Sequence, residues 1–317
     1  MVFEAVMVVL GFTGLIWGAD KFVFGASALA RNLGVTPLMI GLTIVAFGTS
    51  APEIFSSAAS VVGNEPELAI GNALGSNIFN IGIALGIAAL ISPLKPPKSL
   101  FHKEIPALLM VTVVTGIIFG NFYIGPVDAA ILMSITVFFG YKLFRNRIKS
   151  SSLPDIDEEN LLHLSNTRSA IYLALGLTLL VVSAEAIVQA CTTIANELGV
   201  SSAVIGLTVV ALGTSLPEVA ASVACALKGH HELAIGNIVG SNILNLLAVL
   251  PFPGLFAPVA VDPALFYRDY TVMLLLTLLL AVFCFRAIKS NMFIGRPAGA
   301  MLIVCYCVWF GIMAIQI

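Results

Sequence analysis

The chain contains one passage twice. GLTIVAFGTSAPEI at residues 41–54 returns as GLTVVALGTSLPEV at 206–219, and ELAIGNALGSNIFN at 67–80 returns as ELAIGNIVGSNILN, both at an offset of 165 residues. Over 41–80 against 206–245 there are 23 identities in 40 positions without a gap. A repeat of that length predicts a fold made of two related halves, and in a lipid-facing chain it is a mark of internally duplicated transporters.

The surrounding composition supplies the lipid. The 317 residues are 59% hydrophobic and 10% charged, against roughly 25% charged in an ordinary soluble domain. Apolar runs of about 20 residues, the length needed to cross a bilayer, begin near Val2, Pro37, Leu68, Ile105, Val127, Ala170, Ala203, Leu233, Leu265 and Arg296. The expected fold is therefore an all-α membrane protein of ten transmembrane helices in two five-helix repeats. The expected boundaries are 1–149 for the first repeat, 150–167 for a cytoplasmic linker and 168–317 for the second repeat. Five is odd, so the second repeat enters the membrane from the opposite side and the topology is inverted.

Lys and Arg orient the chain. Thirteen of the 15 fall in the loops after spans 1, 3, 5, 7 and 9, whereas the opposite loops hold only Arg268 and Lys21 lies within the first span. Cytoplasmic loops retain positive charge, so both termini are expected outside, periplasmic or extracellular, with the central loop in the cytoplasm. The first span lacks a basic leader and a small-residue cleavage site, and it reads as a retained membrane helix. Within the linker, Asp155, Asp157, Glu158 and Glu159 lack the glycine and terminal glutamate of a calcium-binding EF-hand loop and read as solvated. The five cysteines, all in or beside apolar spans, read as small buried hydrophobes, and the four histidines have no zinc-ligand spacing.

The repeated passage carries the chemistry. Pro52 and Pro217 cannot donate an N–H, so the carbonyls of Gly48 and Gly213, one turn back, lose their helical partners. In hydrocarbon such a break persists where the freed oxygens line a polar cavity or meet a cation. Thr49, Ser50, Thr214 and Ser215 add hydroxyls at the same level. Glu53 and Glu218 have no cationic neighbour in their own spans, and a carboxylate at bilayer depth must be protonated or compensated. Asn72, Ser76 and Asn80, spaced by four, form a polar helix stripe repeated by Asn237, Ser241 and Asn245. Ser76, Asn80, Ser241 and Asn245 are expected to face the glutamates, while Asn72, Asn77, Asn237 and Asn242 also suit bracing between helices. A donor set of carboxylate, hydroxyl, amide and carbonyl oxygens without nitrogen or sulfur suits a hard cation such as calcium.

The pair GTSAPE and GTSLPE, each followed by GNALGSNIFN or GNIVGSNILN, resembles the two alpha-repeats of the calcium:cation antiporter superfamily, closest to its prokaryotic sodium/calcium exchanger branch. The resemblance spans essentially the whole chain. It implies the sodium/calcium exchanger fold and Ca2+ exchange against Na+ by alternating access, the first and sixth spans sliding over a core. It also implies ion binding by Glu53 and Glu218, with Thr49, Ser50, Thr214, Ser215, Ser76 and Ser241 and the backbone carbonyls of Ala46 and Ala211. Many sodium-coupled members have an aspartate at one of the positions matching Asn80 and Asn245, and here both are asparagine. A proton, or a potassium-involving exchange, is thus the alternative on the counter-ion side.

Asp20 and Glu185 also correspond at the 165 offset, and are second-line candidates; Asp20 equally suits pairing with Lys21. A cation channel is the alternative of a different class, since carboxylate rings also select cations, although inverted repeats with broken helices suit alternating access better. No P-loop and no paired nucleophile and base are present, so the chain is not expected to be an enzyme or to use a nucleotide. The expected partners are Ca2+, Na+ and the lipid of the cell (inner) membrane, with no cofactor and no nucleic acid, and the expected functional unit is a monomer.

Overall fold

The computed structural model describes residues 2–146, 164–199 and 211–315. Its helices are α1 (Val2–Asn32), α2 (Pro37–Thr49), α3 (Ala51–Val62), α4 (Pro66–Ile91), α5 (Lys98–Phe119), α6 (Pro126–Asn146), α7 (Asn166–Glu197), α8 (Leu216–Leu227), α9 (His231–Phe256), α10 (Leu265–Lys289) and α11 (Arg296–Ile315). A short helical turn, Ala211–Thr214, precedes α8. Among the described residues eight helices are long and apolar enough to cross a membrane, or nine when α2 and α3 count as one span bent by 43°. The start of the span expected near Ala203 lies outside the described residues, as do Asp155, Asp157, Glu158 and Glu159 of the linker.

Burial separates a core from a periphery. In α4 and α9, the helices carrying the asparagine and serine stripes, 72% and 89% of the most apolar window is buried, against 11–39% in the other spans. α1 and α7 form an outer pair. Gly11, Gly14, Gly18 and Gly25 of α1 meet Ile187, Ser183, Leu180 and Leu173 of α7 in that order, so rising numbers on one helix meet falling numbers on the other. These helices occupy equivalent places in the two repeats and run antiparallel, as opposite insertion requires.

Two loop pairings repeat the relation. Tyr123 and Ile124 pair antiparallel with Ala260 and Val259, and Leu94 bridges Ile294. Each joins the loop after one stripe-bearing helix, α9 or α4, to a loop of the other half.

Close approach of α2 to α9 depends on glycine. A Cβ on Gly41 would stand 2.7 Å from the Leu233 carbonyl oxygen and 3.0 Å from the Asn237 nitrogen, and one on Gly236 would stand 2.7 Å from the Leu38 oxygen. These are backbone atoms of packed helices and cannot step aside as a side-chain end would. Gly41→Val is therefore expected to cost about 1–3 kcal/mol by overpacking, read as a fall of several degrees in the thermal midpoint of the purified protein. An unchanged midpoint would mean that the contact is looser than these distances.

Candidate cation site

Both prolines break their helices in the same way. The first helix stops at Thr49 and restarts at Ala51, with Ser50 at φ −83°, ψ 4°; in the second half Ser215 sits between Thr214 and Leu216 at φ −93°, ψ 5°. Each proline then occupies the first turn of the new helix, where its missing N–H breaks no bond within that helix, and each glutamate follows one residue later. The breaks aim the serines outward from their own helices and across to the other half.

There they meet the glutamates reciprocally. Ser50 Oγ donates to Glu218 Oε1 at 3.0 Å, and Ser215 Oγ donates to Glu53 Oε1 at 2.8 Å. Serine and acid exchange contacts across the 165-residue repeat, which draws the two carboxylates into one locus. All four side chains have no solvent-accessible surface. The second oxygens, Glu53 Oε2 and Glu218 Oε2, have no hydrogen-bond partner. Neither acid has a Lys or Arg among its contacts, whereas Asp20 and Asp269 are each held by at least one.

The stripe residues divide into two groups. Asn72 Nδ2 donates to Ser57 Oγ at 2.8 Å and to the Glu53 carbonyl at 3.2 Å, and Asn237 Nδ2 donates to Ser222 Oγ at 3.1 Å. These two asparagines hold the glutamate-bearing helices against α4 and α9, the bracing that their position in the stripe suited. Ser57 and Ser222 are buried partners that the motif reading missed. Their signal was present, since serine is conserved between the two copies at those positions. Thr49 takes part in the same brace, donating to Asn237 Oδ1 at 3.1 Å.

The other group is buried, and most of its oxygens are left over. Ser76 accepts from Ser215 at 3.3 Å and donates to Asn72 Oδ1 at 3.4 Å. Ser241 Oγ, Asn80 Oδ1 and Asn245 Oδ1 are buried without partners. Asn245 Nδ2 donates to Asn77 Oδ1 at 3.2 Å, which leaves its oxygen as the free end, while Asn77 Nδ2 reaches the Asn242 carbonyl at 3.2 Å. Asn80 and Asn245 each begin a π-helical turn, Asn80–Leu85 and Asn245–Val249, a local widening that often accompanies functional positions. Of the two backbone carbonyls expected, that of Ala46 already accepts the Ser50 N–H at 2.9 Å, and Ala211 opens the turn before the second break. Thr214 closes that turn.

Together Glu53 Oε2, Glu218 Oε2, Ser241 Oγ, Asn80 Oδ1 and Asn245 Oδ1 are five buried oxygens with no internal partner, two of them on acids. Buried polar groups left unsatisfied cost about 1–3 kcal/mol each, more when charged, so two such acids held at one locus point to a ligand that supplies positive charge. Oxygen-only donors of this kind match the chemistry of a hard cation. Among the described residues no group of three or more His, Cys, Asp or Glu gathers to hold a metal ion, and the acids at this locus are two.

Asp20, the second-line candidate on α1, contacts Lys21 at 3.3 Å and also Lys228, and Glu185 accepts from Gln189 on its own helix at 2.9 Å. Neither reaches the glutamates.

Duplicated broken helices around a buried, acid-lined oxygen cluster define a secondary cation antiporter, a multi-pass membrane protein and not an enzyme. The comparisons with known proteins give the particular family: a profile described as "Sodium/calcium exchanger protein" matches residues 3–144 and 168–314, and the chain belongs to that family of calcium and cation antiporters. It is 35% identical over 320 residues to inner membrane protein YrbG of Escherichia coli (strain K12), covering 99% of this chain and 97% of that one. It is 31% identical over 339 residues to sodium/calcium exchanger MaX1 of Methanosarcina acetivorans, covering 95% of each. Its structure superposes on the sodium-calcium exchanger NCX_Mj soaked with 2.5 mM Na+ and 0.1 mM Ca2+ with a TM-score of 0.84, at 32% identity and 98% coverage of both chains. The fold is that of the sodium/calcium exchangers.

Proposed function

We propose that the protein exchanges Ca2+ for Na+ across the cell membrane by alternating access, at a single site that the two ions occupy in turn. The observation that carries this reading is the reciprocal contact of Ser50 with Glu218 and of Ser215 with Glu53, which leaves one uncompensated oxygen on each of two enclosed acids. Glu53 and Glu218 supply the charge that a divalent ion balances. Ser76, Ser241, Asn80 and Asn245 supply neutral oxygens, with Thr49, Ser50, Thr214, Ser215 and the carbonyls of Ala46 and Ala211 at the breaks. Both acids are enclosed, so binding and release require the covering helices to move, first toward one solution and then toward the other.

The two halves in this reading are 1–149 and 168–317, joined by a cytoplasmic linker at 150–167, with both termini outside. No cofactor is required, because the energy comes from the counter-ion gradient. The functional unit is the single chain, since both acids belong to it.

A second reading exchanges Ca2+ for H+. Asparagine at both 80 and 245 favours it, because a site with fewer acids than many sodium-coupled relatives has less charge with which to hold several Na+ ions.

Calcium uptake into reconstituted vesicles tests both. With Na+ inside and none outside, uptake is expected to rise well above that of vesicles holding K+ or choline at equal pH. Uptake driven by a pH gradient and indifferent to Na+ would transfer the role to protons. Uptake that persists with no counter-ion gradient would mark a channel and end the exchanger reading.

A further inference from the structure

The 165-residue repeat pairs Asp20 with Glu185 and Lys228 with Gly63, and the structure treats the two sets differently. Lys228, the residue after α8, places its ammonium on the Asp20 carboxylate and also donates to the Asp20 backbone carbonyl at 3.2 Å. Lys21 holds the other carboxylate oxygen at 3.3 Å. At the equivalent place in the other half, Gly63 offers no amine, and Glu185 is engaged by Gln189 of its own helix. The bridge from α1 to the end of α8 thus has no mirror image from α7 to the end of α3.

Packing shows the same one-sidedness. α1 lies along α8, whereas among the described residues α7 makes no packing of comparable extent with α3. The buried face of α8 carries Glu218, Ala221, Ser222 and Cys225 in succession, a track from the acid toward the surface, and Lys228 stands just beyond it. Ten residues of helix separate Glu218 from Lys228, about 15 Å. In addition α7 sets Leu177 against Gly48 and Val188 against Gly213, beside both breaks. The α1–α7 pair therefore covers the site, and the Asp20–Lys228 bridge fastens that cover at the C-terminal end of α8.

We infer that Asp20 and Lys228 are a one-sided latch, a positioning pair that favours the arrangement closed at the Lys228 face over its mirror image and so sets the sidedness of exchange. In an inverted repeat the two access states would be near mirror images. An ion pair present in one and absent from the other shifts their populations by the energy of that pair. Both side chains are partly exposed, at 34% and 45%, and pairs of that kind shift an equilibrium by roughly two- to fivefold. The apparent affinity at a face scales with the fraction of molecules open to it.

The test uses Asp20→Asn, Lys228→Met and the double variant in vesicles, with Cys191, Cys284, Cys305 and Cys307 replaced by Ala so that the native Cys225 is the only thiol. Cys225 has no accessible surface with the latch closed. Each single variant is expected to speed its labelling by a membrane-impermeant maleimide from the Lys228 face about two- to fivefold. KM for Ca2+ at that face should fall by the same factor while KM at the opposite face does not fall. The double variant should match the singles, because a bridge can be broken only once. A contact that merely supports the fold would not move the two faces apart.

Unchanged labelling in both single variants, or a double variant showing the product of the single effects, would overturn the latch. The KM readout rests on the exchanger reading of the site, but the labelling readout does not. A labelling response without any Ca2+ transport would keep the latch and strike only that reading.

Discussion

Replacing Glu53 or Glu218 by glutamine is expected to abolish calcium exchange while the protein remains folded. Each acid contributes one carboxylate oxygen that no internal donor satisfies, and the reciprocal serine contacts hold the two acids at one locus. Removing one charge from a close, desolvated ion contact costs roughly 2–5 kcal/mol, a loss of about thirtyfold to several thousandfold in affinity. Folding is expected to respond in the other direction. Glutamine keeps the oxygen that accepts from Ser215 or Ser50 and discards a charge that is expensive to hold in lipid surroundings. The thermal midpoint without Ca2+ should thus hold or rise, while the further rise that Ca2+ gives the unsubstituted protein should vanish. Normal flux in either variant would remove both residues from the site, since each contact has its counterpart in the other half.

The acids, the breaks and the stripes were legible in the sequence because each is a local conflict with its setting, repeated. A proline inside an apolar span and a glutamate without a cation are improbable once and informative twice. Partners across the fold were less legible. That Ser50 donates to Glu218 and not to an acid of its own half follows from the crossing of two broken helices, and no spacing within one helix encodes it. Ser57 and Ser222 were passed over for a different reason: a buried serine in an apolar span ordinarily bonds back to its own helix, as Thr112 does to the Leu108 carbonyl at 2.8 Å. Only the repeat distinguishes them. The π-helical turns at Asn80 and Asn245 leave no compositional trace, because one extra residue per turn does not alter the run of apolar side chains.

Charged pairs show the same limit. Asp20 suited Lys21 by adjacency, and it has that contact, but its bond to Lys228 spans 208 positions. Arg268 counted only as the basic residue of an outer loop. In the structure it grips Asp269 through Nε at 2.8 Å and Nη2 at 2.9 Å, and Trp309 Nε1 donates to the same carboxylate at 2.8 Å. A buried charge on α10 is thereby satisfied from its own turn and from α11, which explains how Asp269 tolerates 4% exposure. The sequence marks an intramembrane acid as a candidate; only the fold separates one that is satisfied from one that is not.

Pro52→Ala and Pro217→Ala, alone and together, are expected to leave the protein as stable as before or more so, and to slow calcium exchange at least tenfold. Alanine restores an N–H at the one position where the helix lacks it, and the Gly48 or Gly213 carbonyl, one turn back, then has its ordinary partner. Satisfying a buried carbonyl recovers about 1–3 kcal/mol, offset by roughly 0.4–1 kcal/mol for the freer unfolded chain that loses a proline. Straightening comes at the expense of the site. Ser50 and Ser215 now have ψ of 4° and 5°, and a continuous helix would bring them near −42°, swinging the hydroxyls that hold Glu218 and Glu53. A hydrogen bond to a charged group contributes about 1.5–3 kcal/mol, so its loss weakens cation binding by roughly ten- to 150-fold. Circular dichroism and thermal unfolding report the helix, and vesicle flux reports the site. Stability and exchange falling together would mean that proline serves the fold alone. Stability held while exchange falls would mean that the 43° break is kept for the ion, at a cost in helical bonding that a purely structural helix has no reason to bear.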